Sequence, residues 1–200
     1  MLRVSQWPET DPVTHRKARK DVTNLRVMAT LCSAALVAAL LTTQPASAAI
    51  ESPIVSALNG QCLDAHGNGA KVTPNGAPAI QWPCHGDTNQ LWHFSQDFNR
   101  ENTFWLQVGS GNSKCLDVPG KSSAAGAELH LWDCQSDSGG SQLWQFRHIR
   151  SENGWHYHYI QNIRSGKCLD IPGGSTRSGV QLIQWPCSLA ARNQVWRNRA

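Results

Sequence analysis

A cassette of about fifty residues recurs three times along this chain, and that recurrence limits its architecture more than any other feature. Cys62-Leu63-Asp64, Cys115-Leu116-Asp117 and Cys168-Leu169-Asp170 begin 53 residues apart both times. Each is followed by a Trp and a second Cys (Trp82/Cys84, Trp132/Cys134, Trp185/Cys187). Gln-x-Trp comes next, at Gln90-Leu91-Trp92, Gln142-Leu143-Trp144 and Gln194-Val195-Trp196, with glutamines 52 apart both times. Such a period means one supersecondary unit repeated, each copy unable to bury its own apolar face and completed by the others. Chemistry is triplicated with structure: what Asp64 and Trp82 do, Asp117/Trp132 and Asp170/Trp185 are placed to do as well.

The first 48 residues have another character. Arg3, Arg16, Lys17, Arg19, Lys20 and Arg26 precede an uncharged run from Val27 to Leu41, and Ala46-Ser47-Ala48 follows. A basic segment, an apolar segment and an Ala-x-Ala motif read as a signal peptide over residues 1–48. The apolar run of 15 residues is shorter than the roughly 20 a membrane-spanning helix needs. The expectation is a secreted, extracellular protein that begins near Ala49, with no membrane span in the mature part.

Export alters the charge. The formal +4 divides into +3 before Ala49 (six basic, three acidic) and +1 after it (twelve basic, eleven acidic). No basic tract remains in the sequence after Ala49, so the electrostatic footprint of a nucleic-acid binder is missing.

Losing the leader also discards Cys32 and leaves six cysteines, which in an exported domain read as a disulfide framework. The repeat selects the pairing within each copy: Cys62–Cys84, Cys115–Cys134 and Cys168–Cys187. Each closes a loop of about 20 residues, worth roughly 3 kcal/mol by chain entropy. Zinc is the competing use of such residues, but no Cys-x-x-Cys occurs and the histidines do not follow the cysteines at ligand spacing. No metal and no cofactor are expected.

After Ala49, short apolar or alternating runs (Ile54–Leu58, Ala79–Trp82, Phe104–Val108, Leu129–Trp132, Tyr157–Ile160, Val180–Trp185) are separated by Gly, Pro, Asn and Ser. Evenly spaced short strands with turn residues between them predict an all-β barrel or sandwich. Threefold repetition favours a closed barrel, because closure removes exposed strand edges. One domain over 49–200 is expected, in repeats of about 50–100, 101–153 and 154–200.

Cys-Leu-Asp, Gln-Trp-Pro-Cys or Leu-Trp-Asp-Cys, and Asn-Gln-x-Trp at this spacing resemble the ricin-type β-trefoil lectins, over essentially all of residues 50–200. The resemblance implies a β-trefoil with four strands per repeat, pseudo-threefold symmetry and a shallow sugar pocket on each lobe. The chemistry is consistent with that. A sugar needs an aromatic plane under its C–H face and a carboxylate to accept from neighbouring hydroxyls, with amides to complete the network. Carried over to this chain, the first repeat supplies Asp64, Trp82, Asn89 and Gln90, and the third Asp170, Trp185, Asn193 and Gln194. The second supplies Asp117, His130, Trp132 and Gln142 as its expected sugar contacts, with Ser141 in place of the Asn. By the resemblance the glutamines orient the aspartates. Galactose-binding members often carry Gln two residues before the platform Trp; here those positions are Ile80, His130 and Ile183. Alternation along a strand sets Gln81 and Gln184 on the face opposite Trp82 and Trp185.

Plainer roles compete. Trp92, Trp144 and Trp196, with Leu63, Leu116 and Leu169, read as core. The aspartates could merely cap turns. His66, His85, His93, His148, His156 and His158 share no register and read as solvated or turn residues. The leading function is a non-catalytic carbohydrate-binding protein, with glycans of galactose type or plant-wall polysaccharides as partners and no nucleic acid. A glycosidase would need two carboxylates in different environments; each copy carries one Asp with no second carboxylate in register, and the repeats fill the chain after the leader. A protein-binding β-trefoil, as inhibitor or toxin-delivery subunit, is the alternative, as is an accessory partner of a separate glycoside hydrolase.

Overall fold

The computed structural model describes residues 51–67, 74–108, 111, 113–136 and 138–199; the leader assigned to residues 1–48 lies outside these. The first repeat contributes β1 (Glu51–Ser52), β2 (Val55–Ser56), β3 (Cys62–Ala65), β4 (Ala77–Trp82) and β5 (Trp92–Gln96). The second contributes β6 (Thr103–Val108), β7 (Lys114–Asp117), β8 (His130–Asp133) and β9 (Leu143–Glu152). The third contributes β10 (Trp155–Asn162), β11 (Cys168–Asp170), β12 (Ile183–Trp185) and β13 (Val195–Asn198). The first repeat's extra strand is one strand divided at Pro53-Ile54, where proline has no N–H for a ladder.

Antiparallel pairs β1–β5, β5–β6, β6–β9, β9–β10, β10–β13 and β13–β2 return to their starting strand and close a barrel. Three hairpins, β3–β4, β7–β8 and β11–β12, cover one end of it. They meet one another through Ala77↔Leu131, Ile80↔Gln181 and Glu128↔Ile183, one junction per pair of repeats. This is the expected β-trefoil.

The core repeats with the cassette. Ile54, Leu106 and Ile160, Leu63, Leu116 and Leu169, and Trp92, Trp144 and Trp196 are all fully buried. Each buried indole also donates its Nε1–H to the carbonyl of the Leu in its own Cys-Leu-Asp: Trp92 to Leu63 (2.9 Å), Trp144 to Leu116 (2.9 Å) and Trp196 to Leu169 (3.1 Å). That bond ties the barrel strand to the cap hairpin and fixes where the Asp lies. Disulfides join Cys62–Cys84, Cys115–Cys134 and Cys168–Cys187, each within its repeat.

Ala79–Trp82, Phe104–Val108 and Tyr157–Ile160 lengthen to Ala77–Trp82, Thr103–Val108 and Trp155–Asn162, and the other three expected strands shorten or shift. Ile54–Leu58 stops at Ser56, because Ser56 and Gly60 close a tight turn and Asn59 Oδ1 accepts from the Gln61 N–H. Leu129–Trp132 is shifted one residue, to His130–Asp133, and Val180–Trp185 shrinks to Ile183–Trp185 with Gln181 in an isolated bridge. The β9–β10 hairpin is longer than expected, closed by Asn153-Gly154 with φ of 51° and 75°, the positive values that a two-residue hairpin turn requires.

Candidate functional site

In the first repeat, β3 and β4 pair with Asp64 opposite Ile80 and Cys62 opposite Trp82. Alternation then turns Trp82 outward, 41% exposed, and Gln81 inward, fully buried. The Thr88–Gln90 3-10 turn carries Asn89 and Gln90 back against the carboxylate. Asn89 Nδ2 and Gln90 Nε2 donate to Asp64 Oδ2 at 3.0 and 2.8 Å. Gln90 also accepts from the His85 N–H and donates to the Pro83 carbonyl, so one amide fixes both the carboxylate and the loop behind the indole. Both amides bond the same carboxylate oxygen, Oδ2. Burial pushes the Asp64 carboxyl above its usual range, and the bonds from Gln90, His85 and Asn89 pull it partly back. The recess is lined by Asp64, His66, Gly67, Ile80, Trp82, His85 and Asn89. The Asn89 Oδ1 is buried there without a donor.

The third repeat repeats this geometry. Asn193 Nδ2 lies 3.1 Å from both Asp170 oxygens and Gln194 Nε2 2.7 Å from Oδ2. Burial again raises the carboxyl, opposed by Gln194 and Asn193. Trp185, 47% exposed, forms the wall of a recess that includes Asp170, Pro172, Ile183 and Asn193.

The second repeat does not follow. Gln142 Nε2 donates to the Asp133 carbonyl (3.0 Å) and leaves Asp117 alone, so the role expected of it is not the one it fills. Ser141 turns to the Ser138 carbonyl. Asp117 is held instead by His130, whose Nε2 lies 3.1 Å from Oδ2, while Oδ1 is buried without a partner. The His130 ring is stacked on Trp132, 5.3 Å between centroids and 24° between planes. One side chain therefore takes both the indole face and the carboxylate that a sugar would use.

Two histidines expected to be merely solvated are not. His85 Nε2 stands 3.5 Å from Asp64 Oδ2 inside the first recess. His158, half-buried, is pushed down to about 4 by burial and by the neighbouring His148 and His156. The position of His85, next to Cys84 at the pocket lip, was the available signal for the first; nothing local marked the second.

Gln81 and Gln184, turned away from the recesses, fasten the repeats together. Gln81 accepts from Asn59 and donates to the carbonyls of Ser175 and Arg177 in the third repeat. Gln184 accepts from Ser165 and donates to Ser122 and Ala124 carbonyls in the second. The exposed indoles also cross these junctions: a Cβ on Gly179 would come within 3.3 Å of Trp82 Cζ3, and one on Gly126 within 3.5 Å of Trp185 Cζ3. Trp82 and Trp185 each rest on a glycine of another repeat.

A threefold barrel whose lobes pair a fastened carboxylate with an exposed indole is the architecture of a β-trefoil lectin. The ricin-type beta-trefoil lectin domain matches residues 51–196, and the chain belongs to that family. The agglutinin of Ricinus communis is 36% identical over 99 residues, which are 47% of this chain but only 15% of that protein. Among solved structures, the designed threefold-symmetric protein ThreeFoil superposes with a TM-score of 0.62 at 28% identity, over 74% of this chain and 97% of that one. The C-half of an earthworm R-type lectin, solved in complex with GalNAc, gives 0.52 at 19% identity, over 74% and 96%, and shows the shared fold.

Proposed function

We propose that this protein is a secreted, non-catalytic lectin that holds sugars in its first and third lobes, with the second closed by His130. The carrying observation is the arrangement shared by Asp64/Trp82/Asn89 and Asp170/Trp185/Asn193. In each, amides fasten a buried carboxylate beside an exposed indole. A carboxylate in that setting accepts from two adjacent hydroxyls with charge-assisted bonds, while the indole covers the apolar face of the ring. Pockets of this kind hold a monosaccharide weakly, and two on one rigid frame raise retention on a multivalent glycan through effective concentration. Among the described residues, the lining of the first and third recesses holds one carboxylate each, Asp64 and Asp170, where glycoside hydrolysis uses an acid and a base or nucleophile. The leader over residues 1–48 and the disulfides are the grounds for secretion.

A glycan array followed by column retention tests the reading. Asp64→Ala with Asp170→Ala should remove most retention, and Asp117→Ala should change it little. Retention that depended chiefly on Asp117 would reverse the ranking of the lobes; no glycan binding by the folded protein would end the lectin assignment.

A further inference from the structure

Strand β10 carries a second aromatic surface that the lobes do not use. Ile160 of this strand is fully buried in the barrel, so Trp155, Tyr157 and Tyr159, of opposite parity, point away from it; Trp155 is half-buried, and Tyr157 and Tyr159 are buried beneath their neighbours. The register sets Arg150 of β9 and Arg197 of β13 on either side of Tyr157. Arg150 Cζ lies 3.9 Å from the Tyr157 ring centre, and Arg197 Cζ 6.0 Å. Arg197 and Arg199 both lie over Trp155, at 4.5 and 4.6 Å. Arg147, opposite Tyr159, adds a fourth cation to the same face. Among the described residues one ion pair is made there, Arg150 Nε to Glu152 at 3.4 Å between exposed side chains. Arg197 Nε is buried without an acceptor. Among the described residues, then, these four guanidinium groups make a single ion pair, in a domain whose net charge after Ala49 is only +1.

We propose that this face binds the carboxylate or sulfate groups of an acidic polysaccharide. A guanidinium held over a ring is fixed in place, and the N–H groups left after Arg147 Nη1 bonds Gln161, Arg197 Nη1 bonds the Tyr157 hydroxyl and Arg150 Nε bonds Glu152 can grip an oxyanion. Arginine lies over Trp155 and Tyr157, and Tyr159 is buried, which leaves little open plane for the base stacking that single-stranded nucleic acids use. A charged saccharide needs no such plane here. The face is also continuous with the third lobe: the Tyr159 hydroxyl donates to the Leu189 carbonyl at 2.9 Å, in the loop whose Ser188 and Ala191 line that recess. One polymer can therefore lie across both, its acidic groups on the arginines and a residue in the lobe. Only this last point rests on the lectin reading.

The test uses the full chain on immobilised polygalacturonate (carboxylate), dextran sulfate (sulfate) and a neutral galactan. The acidic polymers should bind, and binding should weaken as salt rises from about 0.05 to 0.5 M. Arg150→Gln/Arg197→Gln/Arg199→Gln should lose at least about tenfold on them while keeping its neutral-glycan retention. Arg199→Glu alone, at an exposed strand end, should weaken them in the same direction and guards against a triple variant that fails to fold. Asp64→Ala/Asp170→Ala should keep acidic-polymer binding whatever happens to neutral glycans, so failure of the lectin reading and failure of this one are separable. Wild-type binding by the arginine variants would overturn the proposal. So would loss of acidic-polymer binding in the aspartate variant, or competition by duplex DNA as strong as that of polygalacturonate.

Discussion

His130 differs from Ile80 and Ile183, its counterparts in the other repeats, by one ring with two nitrogens, and that ring decides the fate of a lobe. Isoleucine offers Asp64 and Asp170 no hydrogen bond, so amides hold them, and in the proposed lectin the remaining lone pairs would meet the sugar. Imidazole reaches Asp117 itself and lies flat on Trp132. His130→Ile should open the second lobe: in the Asp64→Ala/Asp170→Ala background it should restore part of the lost glycan retention. The same change strips Asp117 of its partner and should cost about 1–3 kcal/mol, so binding and melting temperature move in opposite directions. A variant that loses stability and gains no retention would show that His130 is only a support for Asp117. Acid should act on the open lobes through the same carboxylates. Burial raises Asp64 and Asp170 above 3.8, so as pH falls they take up protons before an unfolded chain would. Protonation there favours the folded state, since the native form binds the extra proton, yet it removes the charge that accepts sugar hydroxyls. Retention should therefore fall on acidification, beginning above pH 3.8, while near-UV circular dichroism still reports an intact fold.

Within each repeat, the two tryptophans belong to elements with different work. Trp185 ends the short cap strand β12 and is 47% exposed, whereas Trp196 sits in barrel strand β13, fully buried and bonded to the Leu169 carbonyl. Trp185→Ala should weaken glycan binding at the third lobe and move stability by no more than about 1 kcal/mol. Trp196→Ala should cost about 3–5 kcal/mol, the usual scale for emptying an aromatic core site. Thermal melts and glycan titrations of both variants separate these roles; a Trp196→Ala protein that stays fully stable but loses sugar would invert them. The cap hairpins also explain why a lobe is not an independent part. Trp82 leans on Gly179 and Gln81 bonds the Ser175 and Arg177 carbonyls, so the first lobe is built partly from the third repeat.

For the whole molecule, the barrel closes only when β13 meets β2, the last strand against one of the first. No repeat can finish its sheet alone, and unfolding should be cooperative across all three. The disulfides do not span repeats, so they stiffen each cap without locking the ring. Secreted protein should titrate no reactive thiol and yield only peptides linked within repeats, and reduction should lower the melting temperature, each bridge contributing roughly 3 kcal/mol. A peptide joining cysteines of different repeats would contradict the pairing. Much of this was legible in the chain itself. Period, Cys pairs, Gln-x-Trp and the Asp/Trp positions are local patterns, and a repeat forces the same local conformation wherever it recurs. That is why a closed threefold all-β barrel, its buried tryptophans and the outward turn of Trp82 against the inward turn of Gln81 followed from residue order, while the β-trefoil was what the resemblance to the ricin-type lectins implied. What only the tertiary structure decided depends on residues far apart in sequence and near in space. His130 is an unremarkable substitution until β7 and β8 pair and set it between Asp117 and Trp132. Arg147, Arg150, Arg197 and Arg199 form no basic tract along the chain. They become one charged face because β9 and β13 flank β10, and side chains opposite one another across strands are neighbours whatever their distance in sequence.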